Sequence, residues 1–222
     1  MATFDKFAVM AKIAAAPMVP VFYHPDIEVC KNVVRACYAG GVRVFEFTNR
    51  GDFAHEVYSQ LAHWVSTECP ELVLGVGSII DAPTASLYLQ LGANFVVGTL
   101  FNKDIAVVCN RRCVTYCPGC LTPTEVGIAQ EAGCDFIKVF PGDVVGPSLV
   151  KGILAPMPWT RLMVTGGVAP ERENLQKWFK AGAFCVGMGS QLFPVDKVKV
   201  ADWEYITAKC KECFEYIASF KK

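Results

Sequence analysis

A lysine stands in the middle of the run Phe136-Ile137-Lys138-Val139-Phe140-Pro141-Gly142-Asp143, a short β-rich stretch closed by a Pro-Gly stop. Strand side chains alternate between faces, so Phe136, Lys138 and Phe140 share one face and Ile137 and Val139 the other. Both faces are built to be covered. Taking an amine out of water disfavours its ammonium form, and the neutral amine is the nucleophile that adds to a ketone. The same residues also fit a lysine whose stem lies on apolar surface while its head reaches water. A second run, Val44-Phe45-Glu46-Phe47-Thr48, sets Val44, Glu46 and Thr48 on one face, with Arg50 just past its end. Glu46 thus shares the setting of Lys138. Such a pair reads either as acid/base and nucleophile or as an interior ion pair, and the second competes poorly because burial adds a desolvation cost.

Positioning these groups requires elements, and hydrophobic periodicity supplies them. The pattern predicts a helix over 4–15, a strand over 18–23, a helix from the Asp26 cap to Gly40-Gly41 and a strand over 42–48. The beat continues with helices over 55–66, 83–91, 102–112, 123–132, 147–154 and 173–181, alternating with strands over 72–76, 95–97, 114–116, 136–140, 161–164 and 185–187. A last helix spans 201–222, with Trp203, Ile206, Cys210, Phe214 and Ile217 on one face. Several helices end in Ala or Leu, then Gly, then an apolar strand, as in AGGVRVFEF, LGANFVV, AGCDFIKVF and AGAFCVG. Eight strands alternating with covering helices close into a (β/α)8 TIM barrel, a single domain over 1–222 with an N-terminal helix and an extended C-terminal helix.

In such a barrel, chemistry sits at the C-terminal strand ends. The third strand ends in GVGS with Ser78, the fourth in GTLFN with Thr99, and the fifth in YCPGCLTPTE. The seventh ends in Thr165-Gly166-Gly167-Val168 and the eighth in Gly187-Met188-Gly189-Ser190. Glycines there let backbone amides approach an anion, the phosphate cradle of this fold, although each is also a plausible tight turn.

Composition bounds what remains. Hydrophobic residues make up 53% and charged residues 19%, enough for a large core, and the net charge is zero. No basic field exists to recruit nucleic acid or an anionic membrane, so an anionic ligand must be held locally. The first twelve residues carry Asp5, Lys6 and Lys12 and lack a signal-peptide core, and 82–102 is broken by Pro83, Gly92, Asn94 and Gly98, so a cytoplasmic chain without membrane spans is expected. Eleven cysteines read as reduced, apolar core thiols. Cys109, Cys113, Cys117 and Cys120 raise a metal site, yet only the last pair has a zinc spacing, and His24, His55 and His63 have none to one another. No metal and no cofactor are expected.

Taken together, GGVRVFEFTNR, GVGS, CPGCLTPTE, FIKVFPGD, VTGGV and VGMGSQLFP resemble the 2-keto-3-deoxy-6-phosphogluconate (KDPG) and 4-hydroxy-2-oxoglutarate (KHG) aldolase family, class I pyruvate aldolases on a barrel of this size, from about 17 to 194. The resemblance implies that Lys138 is the Schiff-base lysine, Glu46 the general acid/base and Arg50 the anchor of the pyruvyl carboxylate. It makes Phe140 a pocket wall and assigns Thr165, Gly166, Gly167, Gly189 and Ser190 to the distal or phosphate end. Ser78 stands where the family has threonine, and Gly98-Thr99 replaces a Ser-Pro pair, which leaves the wall at Thr99 open. A 2-oxo acid substrate and a homotrimer are implied, and the substrate can be the KDPG-type acid, its galactonate epimer or KHG. A phosphate-binding barrel isomerase is the other enzyme class the strand ends admit, and Lys138 would be unnecessary to it.

Overall fold

The computed structural model describes residues 2–220. Short polar side chains set the helix starts: Asp5, Asp26, Asp81 and Asn102 accept the N–H of Ala8, Glu28, Thr84 and Asp104 at 2.8 to 2.9 Å. The recurring glycine joins set the ends. Gly41, Gly92, Gly133 and Gly182 all take positive φ, between 82° and 100°, directly after a helix, the left-handed turn that stops it and hands the chain to the next strand.

The order is α1 (Lys6–Ala15), β1 (Met18–Phe22), α2 (Ile27–Ala39), β2 (Val44–Thr48), α3 (Ala54–Glu68), β3 (Val73–Ile79), α4 (Ala82–Gln90), β4 (Phe95–Gly98) and α5 (Lys103–Arg111). It continues with β5 (Thr115–Cys117), β6 (Gly119–Cys120), α6 (Pro123–Glu131), β7 (Phe136–Val139), α7 (Gly142–Leu154), β8 (Arg161–Thr165), α8 (Arg172–Lys180), β9 (Cys185–Met188), α9 (Val195–Lys199) and α10 (Trp203–Phe220). All strands pair in parallel in the order β5-β4-β3-β2-β1-β9-β8-β7-β6. The fifth strand, expected over 114–116, extends to Cys120 but is divided at Pro118, which has no N–H for the ladder. Its first half, β5, pairs with β4 and its second, β6, with β7, while the Pro118 carbonyl accepts the Lys138 N–H at 2.9 Å. The two ends of the sheet meet at this one proline, and the result is a nearly closed TIM-like barrel.

Buried apolar side chains form two clusters. An inner one joins Val19, Val44, Val73, Phe95, Val97, Cys117, Phe136, Met163 and Cys185 from every strand but β6, and Val9 and Ile13 of α1 pack into it. The outer one lies between sheet and helices. This division is the strand alternation read from the sequence.

Beyond shifts of one to three residues, the largest at the end of β3, two boundaries differ from expectation. Helical structure begins at Gly142, but Gly146 (φ 66°, ψ 178°) divides it, so the regular part starts near Pro147 as predicted. The tail carries an additional helix, α9, and Ala201 (φ 56°) breaks the chain before Asp202 accepts the Tyr205 N–H at 3.1 Å and opens α10. Residues 221 and 222 of the expected tail helix lie outside the described residues. α10 packs on α2 and α8, on the outside of the barrel. Among the described residues no helix is long and apolar enough to cross a membrane.

Candidate active site

β2 and β7 deliver their polar residues to the barrel interior. Glu46 is 1% and Lys138 4% exposed, so neither head is solvated as a surface charge would be. Among the described residues the two do not approach within salt-bridge distance of each other, which removes the interior ion pair as the reason for their burial. Burial raises the Glu46 carboxyl above its ordinary value, and the charges of Lys138 and Arg50 pull it back only in part. Glu46 Oε2 is buried without a hydrogen-bond partner. A buried polar atom left unpaired is costly, and a site that receives a ligand or water group explains it. The Lys138 Nζ lies 4.8 Å from the centre of the Phe140 ring, which walls it on one side.

At the C-terminal ends of β1, β2, β8 and β9 opens a cleft of about 450 Å³. Arg50, Phe140, Thr165, Gly166, Gly167, Gly189 and Ser190 all line it, with Val21, Tyr23, Thr48, Gly187 and Phe193. Arg50 is exposed and its Nε donates to Ser78 Oγ at 3.3 Å, which leaves the terminal nitrogens of the fork for an anion. The turn carrying Arg50 is tied down on both sides: the Asn49 N–H donates to the Gly77 carbonyl at 2.9 Å, and Tyr88 donates its hydroxyl proton to Asn49 Oδ1 at 2.8 Å. Gly166 (φ 98°) and Gly167 (φ 70°) both need the left-handed region. A Cβ on Gly167 would stand 2.6 Å from Asp143 Cβ, so the loop after β7 and the turn after β8 interlock. Thr165 Oγ1 is a second buried atom without a partner.

Lys138, Glu46, Ser78 and Thr99 are not among the residues that line the cleft, the first two lying one strand position or more below its floor. Thr99 is half-buried, and its backbone packs against Gly119 rather than lining the cavity. The CPGCLTPTE run makes structure: Thr122 and Glu125 form a capping box at the start of α6, with Glu125 Oε2 accepting the Leu121 and Thr122 N–H groups at 2.7 and 2.8 Å. Cys109, Cys117 and Cys120 are buried and Cys113 is exposed. Among the described residues no group of three or more His, Cys, Asp or Glu is placed to hold a metal ion.

Two strand glycines, named in the sequence only as parts of strand-end motifs, have a further role. A Cβ on Gly77 of β3 would fall 2.5 Å from the Glu46 carboxyl carbon, and one on Gly187 of β9 would fall 2.5 Å from Thr165 Oγ1. Each makes room for the polar group of the neighbouring strand. The alternating glycines of GVGS and CVGMG were the available signal, since glycine inside a strand marks a close approach. Thr48, 3% exposed beneath the cleft, was on the right face and was passed over as a site residue.

A sheltered amine, a carboxyl with a raised proton affinity, a guanidinium fork and a glycine-lined far end are equipment for imine chemistry on an anionic ketone. The family model for the KDPG and KHG aldolases matches residues 9–209. The chain belongs to the KDPG and KHG aldolase family. These are class I pyruvate aldolases, carbon-carbon lyases that act on small 2-oxo acids. The 2-dehydro-3-deoxy-phosphogluconate aldolase of Pseudoalteromonas atlantica is 29% identical over 197 residues, 88% of this chain and 89% of that one. The KHG/KDPG aldolase of Escherichia coli K12 is 26% identical over 204 residues, 91% and 93% of the two chains. Among solved structures, the KDPG aldolase of Zymomonas mobilis ZM4, with 3-phosphoglycerate, superposes with a TM-score of 0.78 at 28% identity, covering 93% of this chain and 94% of that one. The KDPG aldolase of Legionella pneumophila gives 0.82 at 24% identity over 91% and 96%, a likeness of fold.

Proposed function

We propose that this aldolase reversibly cleaves 2-dehydro-3-deoxy-6-phosphogluconate to pyruvate and glyceraldehyde 3-phosphate, with Lys138 as the Schiff-base lysine. The observation that carries the reading is the buried, mutually unpaired couple of Lys138 and Glu46 beneath a cleft that has Arg50 at its side and paired glycine turns at its far end. Neutral Lys138 adds to the C2 ketone, and loss of water from the carbinolamine leaves a protonated imine. Glu46, as carboxylate, takes the C4 hydroxyl proton while the C3–C4 bond breaks, and the bonding electrons move into the imine to give an enamine. The aldehyde leaves, C3 is protonated, and water returns across the imine to free pyruvate and Lys138. Arg50 holds the carboxylate by a bidentate contact, with Ser78 steadying its Nε. Phe140 covers the lysine, and the Gly166-Gly167 and Gly189-Ser190 turns, with Thr165 Oγ1, meet the phosphate. Thr99 is assigned no contact with the substrate, since its backbone packs against Gly119 away from the cleft.

The phosphorylated ligand of the 28%-identical Zymomonas relative supports this choice. The E. coli relative whose name joins KHG to KDPG keeps the shorter acid as the second reading. A cytoplasmic homotrimer completes the proposal. Phe53, Ile80 and Leu100, on the loops after β2, β3 and β4, are 68%, 56% and 48% exposed and offer apolar surface to a neighbouring copy.

Two measurements test the reading. Pyruvate with borohydride is expected to add a reduced three-carbon adduct to the peptide holding Lys138, and an adduct elsewhere overturns its assignment. A coupled pyruvate-release assay is expected to favour the 6-phosphorylated acid over KHG. One charge-assisted hydrogen bond is worth about 1.5 to 3 kcal/mol, about 10- to 100-fold in kcat/KM. Equal rates for the two would reject the phosphate end while leaving the aldolase intact.

A further inference from the structure

At the opposite end of the barrel from Lys138's cleft lies a second cavity of about 570 Å³, larger than the cleft itself. Phe7 and Met10 of α1 form one wall and Phe184, just before β9, another. Three charged residues border it: Lys6, Asp135 and Arg161. Lys6 and Asp135 satisfy each other at 2.9 Å. The Arg161 side chain is in no hydrogen bond or ion pair among the described residues, so two cations and one carboxylate leave a net charge of +1.

Thr115 supplies an independent observation. It lines the same cavity, is 6% exposed, and its Oγ1 is buried without a hydrogen-bond partner. Strand parity places it with Arg161. Thr115 is two residues before the interior Cys117 on β5, and Arg161 two before the interior Met163 on β8, so both point to the inner face at the foot of the barrel. An orphaned hydroxyl and an unpaired guanidinium therefore border one hollow of ligand size, walled by apolar and polar side chains alike.

We propose that this cavity is a second binding site, for a monoanionic carboxylate with a flat apolar body. The Arg161 fork takes the carboxylate through two parallel hydrogen bonds, and Thr115 Oγ1 gains the partner it lacks. Phe7, Met10 and Phe184 enclose the body, which covers a Phe7 ring otherwise 70% exposed. A dianion such as phosphate fits less well, because its charge exceeds the single positive charge of the border.

The test is calorimetric titration of the intact protein with 2-naphthoate and with the neutral, nearly isosteric 2-naphthamide. The carboxylate is expected to bind one per chain and the amide at least about tenfold more weakly, in line with the loss of one charge-assisted hydrogen bond. Arg161→Ala and Thr115→Val should each weaken naphthoate, whereas Arg50→Ala, which disarms the cleft at the other end, should leave it unchanged. Arg161 is exposed, so its variant should unfold at the parent temperature. No saturable binding, equal affinity for the amide, or a loss that follows Arg50 instead of Arg161 would each overturn the proposal.

Discussion

Replacing Gly77 by alanine adds one methyl group to β3 and aims it at Glu46. The new Cβ would lie 2.5 Å from the carboxyl carbon and 2.9 Å from Cγ of Glu46. Carbon atoms rest at about 3.5 to 4 Å, so the carboxyl must retreat by about 1 Å or more. The carboxyl is the mobile end of its side chain, so it turns away and the strands hold. Overpacking of this kind costs about 1 to 3 kcal/mol, a fall in Tm of about 2 to 12 °C for a chain of this size. A 1 Å misplacement of a reacting group costs about 10²-fold. The expected result is a folded protein whose kcat in the coupled pyruvate-release assay drops about 10²-fold, with KM little changed because Arg50 is untouched. Gly75→Ala is the control: its Cβ would meet the Phe95 ring, 2.5 Å from Cγ, deeper in the barrel and away from Glu46. It should lose a similar amount of stability and keep far more activity. A Gly77→Ala protein with parental kcat, or a Gly75→Ala protein equally inactive, would refute the assignment of Glu46 and the geometry behind it.

Burial holds the Glu46 carboxyl above its ordinary 4.5, and cleavage needs the ionised form, so the rate is lost as pH falls through that raised value. The acid limb of kcat/KM should therefore sit above pH 4.5, and Glu46→Gln should remove the limb along with about 10²- to 10⁴-fold of the rate; a wild-type limb at or below 4.5 contradicts the site. Ser78→Ala releases Arg50 Nε and forfeits a bond worth about 0.5 to 1.5 kcal/mol, so KM should rise about 2- to 12-fold at nearly constant kcat, and a fall in kcat alone would move Ser78 into the chemistry. Dialysis against a chelator should leave activity unchanged, and a stoichiometric metal lost together with activity would show that the buried thiols have been misread.

Most of the architecture was legible because the signals for it are local. Four glycines at helix ends, Gly41, Gly92, Gly133 and Gly182, announce their turns by type, and the turns follow from φ. The faces of Lys138 and Glu46 follow from counting by two along a strand. What stayed hidden depends on contacts between strands distant in sequence. Pro118 could be read as a loop residue, yet its consequence, one strand serving both ends of the sheet, exists only once the ring closes. Thr99 follows β4 as a cleft residue should, but the ring brings Gly119 against its backbone.

The same distinction governs the site. Parity puts an amine and a carboxyl inside one barrel, and desolvation disfavours a plain ion pair there, against a catalytic couple, without excluding it. The choice between them is a distance that no spacing within β2 or β7 contains. Gly77, on a third strand, helps to set that distance, because only a residue without a Cβ leaves the Glu46 carboxyl the space in which it lies. Held there, Oε2 keeps no protein partner, and among the described residues Lys138 forms no ion pair with an acid. An interior that wanted only stability would have closed that pair or replaced it with methyl groups. The cost of leaving Glu46 Oε2 open fits the proposal that a bound 2-oxo acid meets Glu46 and Lys138 together.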